Sequence, residues 1–275
     1  MPYNAIIFVA MKSIENTVWW ITGASSGIGK GMSEYILNHG GNVILSSRNA
    51  DKLHNIVNQS NASKDNYLIL PMDLENMHNT EELCKKVIQK FQRIDFLINN
   101  GGISQRSLVS ETSIDIDRRI METNFFGAIA LTKAVLPIMI KQQSGHICAV
   151  SSLVGKFGFP LRSAYSASKQ ALHGFFESLR AENVSNNIKV SMIIPGRINT
   201  SISNNALTKD GTKHGVLDEG QANSMGIERA SKIIVKGVMQ EKKEILVGGK
   251  ELMMLHIRRW LPRLFYYMAN KVSTT

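Results

Sequence analysis

Short apolar runs rich in β-branched and aromatic residues recur along the chain at 17–22, 42–46, 67–71, 96–99, 145–150, 189–194 and 244–247. Between them, segments 30–39, 80–92, 116–141, 164–184 and 228–239 place apolar residues at i, i+3 and i+4, the spacing of a helix with one buried face. Strands alternating with helices predict an α/β domain: a doubly wound parallel sheet of about seven strands with helices on both faces. The run Met192, Ile193, Ile194 is apolar without alternation, which suits a strand covered on both sides. In open sheets of this kind ligands gather beyond the carboxyl ends of the strands, so chemistry is sought just after each run.

Three stretches stand outside the alternation. Residues 197–226 are polar, contain Gly and Asn, show no period, and are too long for an ordinary connection, so they are expected to form a lid over a substrate site. Residues 1–14 are expected to be a flexible extension ahead of a 15–250 catalytic domain, with Met11 a second plausible start. Their apolar run 5–11 is too short to span a bilayer and has no basic segment before it, so neither a signal peptide nor an anchor is expected. Residues 251–275 form a basic tail in which 253, 257, 260, 264 and 268 make an apolar helical stripe interrupted by Pro262. Such a segment can lie on an anionic bilayer, cover the substrate pocket, or pack on a partner subunit.

Composition narrows the function classes. The chain has 275 residues, 43% apolar and 20% charged, enough for one substantial core. Its 32 Lys and Arg against 22 Asp and Glu give a net charge of +10, which favours anionic partners. The cations are dispersed, without a basic helix interleaved with aromatics before the tail, so no nucleic-acid partner is expected. Only Cys84 and Cys148 are present, and the seven His lack ligand spacing, so neither a disulfide framework nor a metal site is expected. A cytoplasmic location follows, peripheral to a membrane if the tail binds one.

Directly after the first apolar run comes Thr22, Gly23, Ala24, Ser25, Ser26, Gly27, Ile28, Gly29, and then a helix. Gly23 permits a tight turn, Gly27 lets the backbone approach a pyrophosphate, and Gly29 lets the helix lie against the strand, whose helix N-terminus then offers unpaired N–H donors. This is a Rossmann-like dinucleotide turn with Gly-x-x-x-Gly-x-Gly spacing. After the second run, Ser47 and Arg48 occupy the place where an NAD site would set a carboxylate against the ribose 2′-hydroxyl. A guanidinium can fork onto a 2′-phosphate, so NADP(H) is favoured over NAD(H).

The whole of residues 15–250 resembles the short-chain dehydrogenase/reductase family. The resemblance rests on the glycine turn, Asp73-Leu74, Asn99-Asn100-Gly101-Gly102, Asn124, Ser151-Ser152, Tyr165-x-x-x-Lys169 and Pro195-Gly196, in the family's order and spacing. Gly102 stands where the family most often has Ala. Reduction of a carbonyl leaves an alkoxide that needs a proton donor, and Tyr165 is suited to the task. A phenol titrates near about 10, so it needs a neighbouring positive charge, and Lys169 lies one helical turn away on the same face.

The resemblance implies further roles. Ser152, rather than its neighbour Ser151, would hold the substrate oxygen, and Asn124 would hold a water linked to the lysine. Asp73 and Leu74 would contact the adenine, Asn99 and Gly101 the adenosine ribose, and Pro195, Gly196, Ile198 and Thr200 the nicotinamide. A homodimer or homotetramer through 116–141 and 164–184 is implied likewise. The run 99–107, together with 258–267, looks like the branch of the family that includes animal microsomal enzymes acting on steroids and retinoids.

Ile103, Ser104, Leu153, Val154, Phe157, Phe159 and Pro160 are the candidate pocket walls, and their apolar character favours a small lipophilic carbonyl or alcohol substrate. Two other readings remain open: reduction of 3-oxoacyl groups on an acidic carrier protein, and a dinucleotide sensor without turnover.

Overall fold

A computed structural model describes residues 13–60, 62–216, 220 and 223–270. Seven parallel strands form one sheet: β1 (Val18–Thr22), β2 (Asn42–Ser46), β3 (Tyr67–Ile69), β4 (Phe96–Asn99), β5 (Gly145–Val150), β6 (Ile188–Pro195) and β7 (Glu244–Val247), in the order β3-β2-β1-β4-β5-β6-β7. β3 stops short of the expected residue 71. Leu70 still donates to Leu45 O at 3.0 Å, but Pro71 has no N–H with which to continue the ladder.

The sheet is covered by helices α1 (Gly27–Leu37), α2 (Ala50–Asn58), α3 (Thr80–Phe91), α4 (Ile114–Met121), α5 (Gly127–Gln142), α6 (Ser163–Glu182) and α7 (Ile227–Met239). Side chains alternate across β1, and the alternation sorts the core into two layers. Trp19 and Ile21 join Met32, Ile36, Leu53, Ile234 and Val238 beneath α1, α2 and α7. Val18 and Trp20 join Val87, Leu131, Val135, Leu172 and Phe176 beneath α3, α5 and α6. Trp19 stacks on Phe96 at 3.8 Å between ring centroids, and Trp19 and Trp20 are fully buried. Burial of such a side chain is worth roughly 1.5–3 kcal/mol.

Segment 116–141, expected as one helix, is continuous but changes pitch: a π-helical turn, Glu122–Phe126, separates α4 from α5. The combined run Ile114–Gln142 is long and apolar enough to cross a membrane, with mean hydropathy 1.5. Leu131, Val135 and Met139 are nonetheless fully buried against the sheet, which makes it a core helix.

The chain leaves β1 toward β2 and β3 on one side, then returns through β4 to the other, so a crevice opens between the ends of β1 and β4. Of the expected 1–14 extension, residues 1–12 lie outside the described part; Ile14 does not behave as a tail, because it packs against the core beneath α1. After β7 the chain forms two further helices, α8 (Met253–Trp260) and α9 (Pro262–Asn270), joined at Leu261.

Candidate active site

The crevice is a cleft of about 620 Å³ along the strand ends. At one end the backbone turns through Gly23 and Gly27, at φ +64° and +53°, a region that residues with a Cβ adopt only with strain. Gly29 is absent from the cleft wall because it faces inward, where a Cβ would strike the carbonyl of Gly23 and the amide of Asn100. Ser26 is extended and its side chain makes no cap to α1, so the first N–H groups of the helix face the cleft. Uncapped N–H donors at a helix start, set in a glycine turn, fit a pyrophosphate. Ser25, Ser26, Gly27, Ile28, Ser47, Arg48, Asp73, Leu74 and Gly101 all line this end.

Asn99 does not reach it. Its side chain turns under the sheet and donates to Thr132 Oγ1 at 2.9 Å, correcting the expected contact with the adenosine ribose. The neighbouring Asn100 lines the cleft instead, its Nδ2 donating to Thr22 O at 2.9 Å and so tying β4 to β1. Successive strand residues face opposite sides, and the sequence did not show which asparagine was the last in the strand.

Tyr165 and Lys169 line the other end, both buried in the first turns of α6. Burial raises the Tyr165 phenol above its ordinary value, opposed by its hydrogen bond with Ser152 and by the charges of Arg162 and Arg106. The charges that oppose this rise are thus those of two arginines, and the expected lysine is not among them. Lys169 sits with its ammonium 5.8 Å from the Tyr165 ring centroid and donates to Val150 O at 2.8 Å. Burial lowers Lys169 to about 8.

Of the two adjacent serines, Ser152 is the one that meets the phenol. Ser151 turns away, donating to Lys169 O at 3.1 Å and meeting His173 Nε2 at 2.9 Å. Pro195, Gly196, Ile198 and Thr200 also line the cleft. Thr200 also lies over the phosphate turn: a Cβ on Gly27 would meet its methyl at 3.2 Å.

Asn124 lies behind the cleft wall, in the π-helical turn, where its Oδ1 accepts from Ile103 N at 2.8 Å and its Nδ2 donates to Ile103 O at 2.9 Å and Ser168 Oγ at 3.0 Å. Its side chain is fully engaged, so the amide locks the 101–104 strand-end segment to α6. Two residues absent from the expected site do comparable bracing. Gln105 is fully buried, and its Oε1 accepts from Ala164 N at 2.9 Å and Tyr165 N at 3.4 Å, capping a helix that has no local side-chain cap. Its Nε2 donates to Thr112 Oγ1 at 3.0 Å and to Ser107 and Ser163 hydroxyls at 3.3 Å. Glu251 accepts from Arg197 N at 2.7 Å and Gly249 N at 3.0 Å, and so pins the turn after Gly196 to the C-terminal segment. Burial would raise its carboxyl, but these backbone donors hold it below the usual range. Neither role has a local sequence signal, because Ala164 lies 59 residues from Gln105 and Arg197 lies 54 from Glu251.

The expected substrate walls are divided. Ile103 and Ser104 line the cleft, but Val154 and Phe157, with Leu153 and Phe159 beside them, belong to a separate apolar cluster around Phe265 of the C-terminal tail. In their place Ile202, Asn205, Leu207 and Lys213 come from segment 197–226. Its described part is tied down: Leu207 N donates to Ser104 O at 2.9 Å and Arg106 N to Leu207 O at 2.8 Å. Among the described residues, His173, Glu177 and Glu244 bring three ligand-type atoms within 4.8 Å of one another, but the Lys156 ammonium lies 2.5 Å from Glu244 and already pairs with that carboxylate.

A phosphate-type cradle at one end of a strand-end cleft and a buried phenol–ammonium pair at the other define an oxidoreductase built to work beside a dinucleotide. The family described as short chain dehydrogenase matches residues 17–211. "Dehydrogenase/reductase SDR family protein 7-like" of Drosophila melanogaster is 39% identical over 256 residues, covering 91% of this chain and 78% of its own. "Dehydrogenase/reductase SDR family member 7B" of Mus musculus is 38% identical over 264 residues, covering 94% and 82%. The chain belongs to the short-chain dehydrogenase/reductase family. The fold is shared with solved members: one from Burkholderia phymatum in complex with NAD has a TM-score of 0.81 at 20% identity, covering 92% of this chain and 96% of that one. Another, from Burkholderia cenocepacia in complex with NADP, has a TM-score of 0.77 at 22% identity, covering 94% and 99%.

Proposed function

We propose that the protein interconverts a carbonyl group and an alcohol on a small, largely apolar substrate with NADP(H) as its cofactor. The observation that carries this reading is the hydrogen bond between Ser152 and the buried Tyr165 phenol in the same cleft as the phosphate cradle. The bound nicotinamide would supply or accept the hydride. Ser152 would hold the substrate oxygen and Tyr165 give it a proton, an electrostatic contribution that grows as negative charge develops on that oxygen. Lys169, charged at neutral pH although lowered to about 8, would stabilise the phenolate left behind.

Arg48 supports the choice of NADP(H). It lines the cleft beside Ser47, and its guanidinium is only 3.9 Å from Glu75, whose carboxylate is held more closely by Arg119 at 3.1 Å. Lys52 lines the same corner. Of the two solved relatives, one carries NAD and the other NADP, and both are too distant to decide the matter by likeness.

Ile103, Ile202 and Leu207 supply apolar wall, while Asn205 and Lys213 add polar contacts. Lys213 favours a second reading, a 3-oxoacyl thioester presented by an acidic carrier. NADPH oxidation measured with steroid, retinal, aromatic-ketone and 3-oxoacyl thioester panels separates the two. Turnover confined to the thioester overturns the lipophilic reading, and absence of turnover with every panel overturns both. We further propose a homodimer or homotetramer through α5 and α6, to be checked by light scattering.

A further inference from the structure

The C-terminal helices α8 and α9 do not use the apolar stripe expected from their sequence to pack on the domain. Of 253, 257, 260, 264 and 268, only Ile257 packs inward; Met253, Trp260, Leu264 and Met268 are exposed, Trp260 by 70%. What holds the helices down is Phe265, which is 1% exposed and meets Phe157 edge-on at 4.9 Å, with Met254, Leu255 and Ala269 around it. Tyr165 belongs to the same cluster. The pair of helices therefore covers the catalytic end of the domain with one face and presents Trp260, Leu261, Leu264, Tyr266, Tyr267 and Met268 outward with the other. An outward group of this size is too large for the scattered apolar residues of an ordinary surface.

Charge indicates the occupant. Residues 250–270 contain Lys250, Arg258, Arg259 and Arg263 against a single acid, Glu251, whose carboxylate is turned inward onto the N–H groups of Arg197 and Gly249. The outward face thus combines tryptophan, tyrosine and leucine with cations and no opposing carboxylate. Aromatic rings with an apolar body and a polar tip settle at the headgroup level of a bilayer, and arginines are drawn to anionic lipid. We infer that the outer face of α8 and α9 docks the protein on an anionic lipid surface. A second copy of the chain would gain nothing from meeting this face with its own, since Arg259 and Arg263 of one copy would then oppose those of the other, Arg258 lying over the inward Phe265 ring. Docking here sets the Phe157–Phe265 cluster, and Tyr165 within it, one layer from the lipid.

Co-sedimentation of the full chain with phosphatidylserine-containing vesicles tests the inference, with phosphatidylcholine vesicles as the comparison. The wild type should partition onto the anionic vesicles at least about tenfold better, and the difference should shrink with salt. Trp260→Glu with Leu264→Glu should lower binding about tenfold or more, and Arg259→Gln with Arg263→Gln should remove most of the salt dependence. All four positions are exposed and touch neither cleft nor cluster, so both variants should keep the wild-type melting temperature and the wild-type NADPH binding. Equal sedimentation of the Glu variant and wild type overturns the inference. So does failure of the wild type to bind anionic vesicles; if the Glu variant then lowers the mass seen by light scattering, a second copy covers the face.

Discussion

The two ends of the cleft are built differently. At the phosphate end, the cradle itself is the backbone of one turn and one helix start, delivered by β1 and α1 within consecutive residues 22–28, with Ser47, Arg48, Asp73, Leu74 and Gly101 beside it. At the catalytic end, residues from β4, the π-helical turn, α6, segment 197–226 and the C-terminal segment meet only because buried side chains hold their backbones together. Asn124 fastens Ile103, Gln105 caps α6, and Glu251 fastens the turn after Gly196. Backbone geometry that is local in sequence tolerates change everywhere but in its glycines, whereas an assembled site depends on residues that never touch the substrate. Variants at the two ends should therefore fail differently.

The largest effect is expected from Tyr165→Phe. Loss of a positioned general acid lowers turnover by about a thousandfold, within the usual range of 10²–10⁴. NADPH binding, measured by fluorescence titration, should stay near wild type because the phosphate cradle lies at the other end. Turnover within a factor of about two of wild type would remove Tyr165 from the mechanism.

Gln105→Leu should come next. It strands the N–H groups of Ala164 and Tyr165 in a buried place, each costing about 1–3 kcal/mol, and frees the start of α6. The expected result is a lower melting temperature together with about a tenfold fall in kcat and unchanged NADPH affinity. Gln105→Glu, which keeps the acceptor, should recover the cap but place a carboxylate beside Tyr165, raising the phenol and moving the pH profile of kcat upward. A purely structural role would lower the melting temperature without moving that profile.

These differences also explain what could be read without coordinates. The strands and their parallel arrangement were legible because buried runs such as 18–21 and 192–194 are apolar throughout, and the glycine turn was legible because it lies in consecutive residues. Helix α2 was passed over: it buries only Leu53, Ile56 and Val57, too few to stand out from a polar surrounding. The stripe in the tail predicts a helix, and two helices form there, but periodicity cannot say which side of a helix meets protein. Leu153, Val154, Phe157 and Phe159 were expected to face substrate, and only the structure shows Phe265 seated among them. Gln105 and Glu251 carry no local signal for these roles, since Ala164 and Arg197, which they brace, come from distant turns.

At the phosphate end, Arg48→Ala should weaken NADPH by about tenfold, a modest figure because the side chain is largely exposed and its charge is screened, and should leave NADH nearly unchanged. Equal losses for the two cofactors would show that Arg48 does not read the 2′-phosphate.

The smallest effect is on stability near neutral pH. Burial lowers His173 from 6.5 to about 4, with Lys156 and Arg180 adding to the shift and Glu244 opposing it. Its Nε2 meets Ser151 Oγ at 2.9 Å, directly behind the serine pair of the catalytic end. The folded ring therefore binds a proton less readily than the unfolded one. Between 6.5 and about 4 the unfolded state holds more protons, so stability is full above 6.5 and falls as the pH drops through that window, by at most about 1.4 kcal/mol per pH unit for one proton. Denaturant melts across this range should show that slope in the wild type and a flatter one in His173→Asn. An unchanged slope would assign the acid sensitivity to carboxylates elsewhere. A flattened slope accompanied by a shift in the pH profile of kcat would show that the Ser151–His173 contact reaches the catalytic end, as an assembled site predicts and a local one does not.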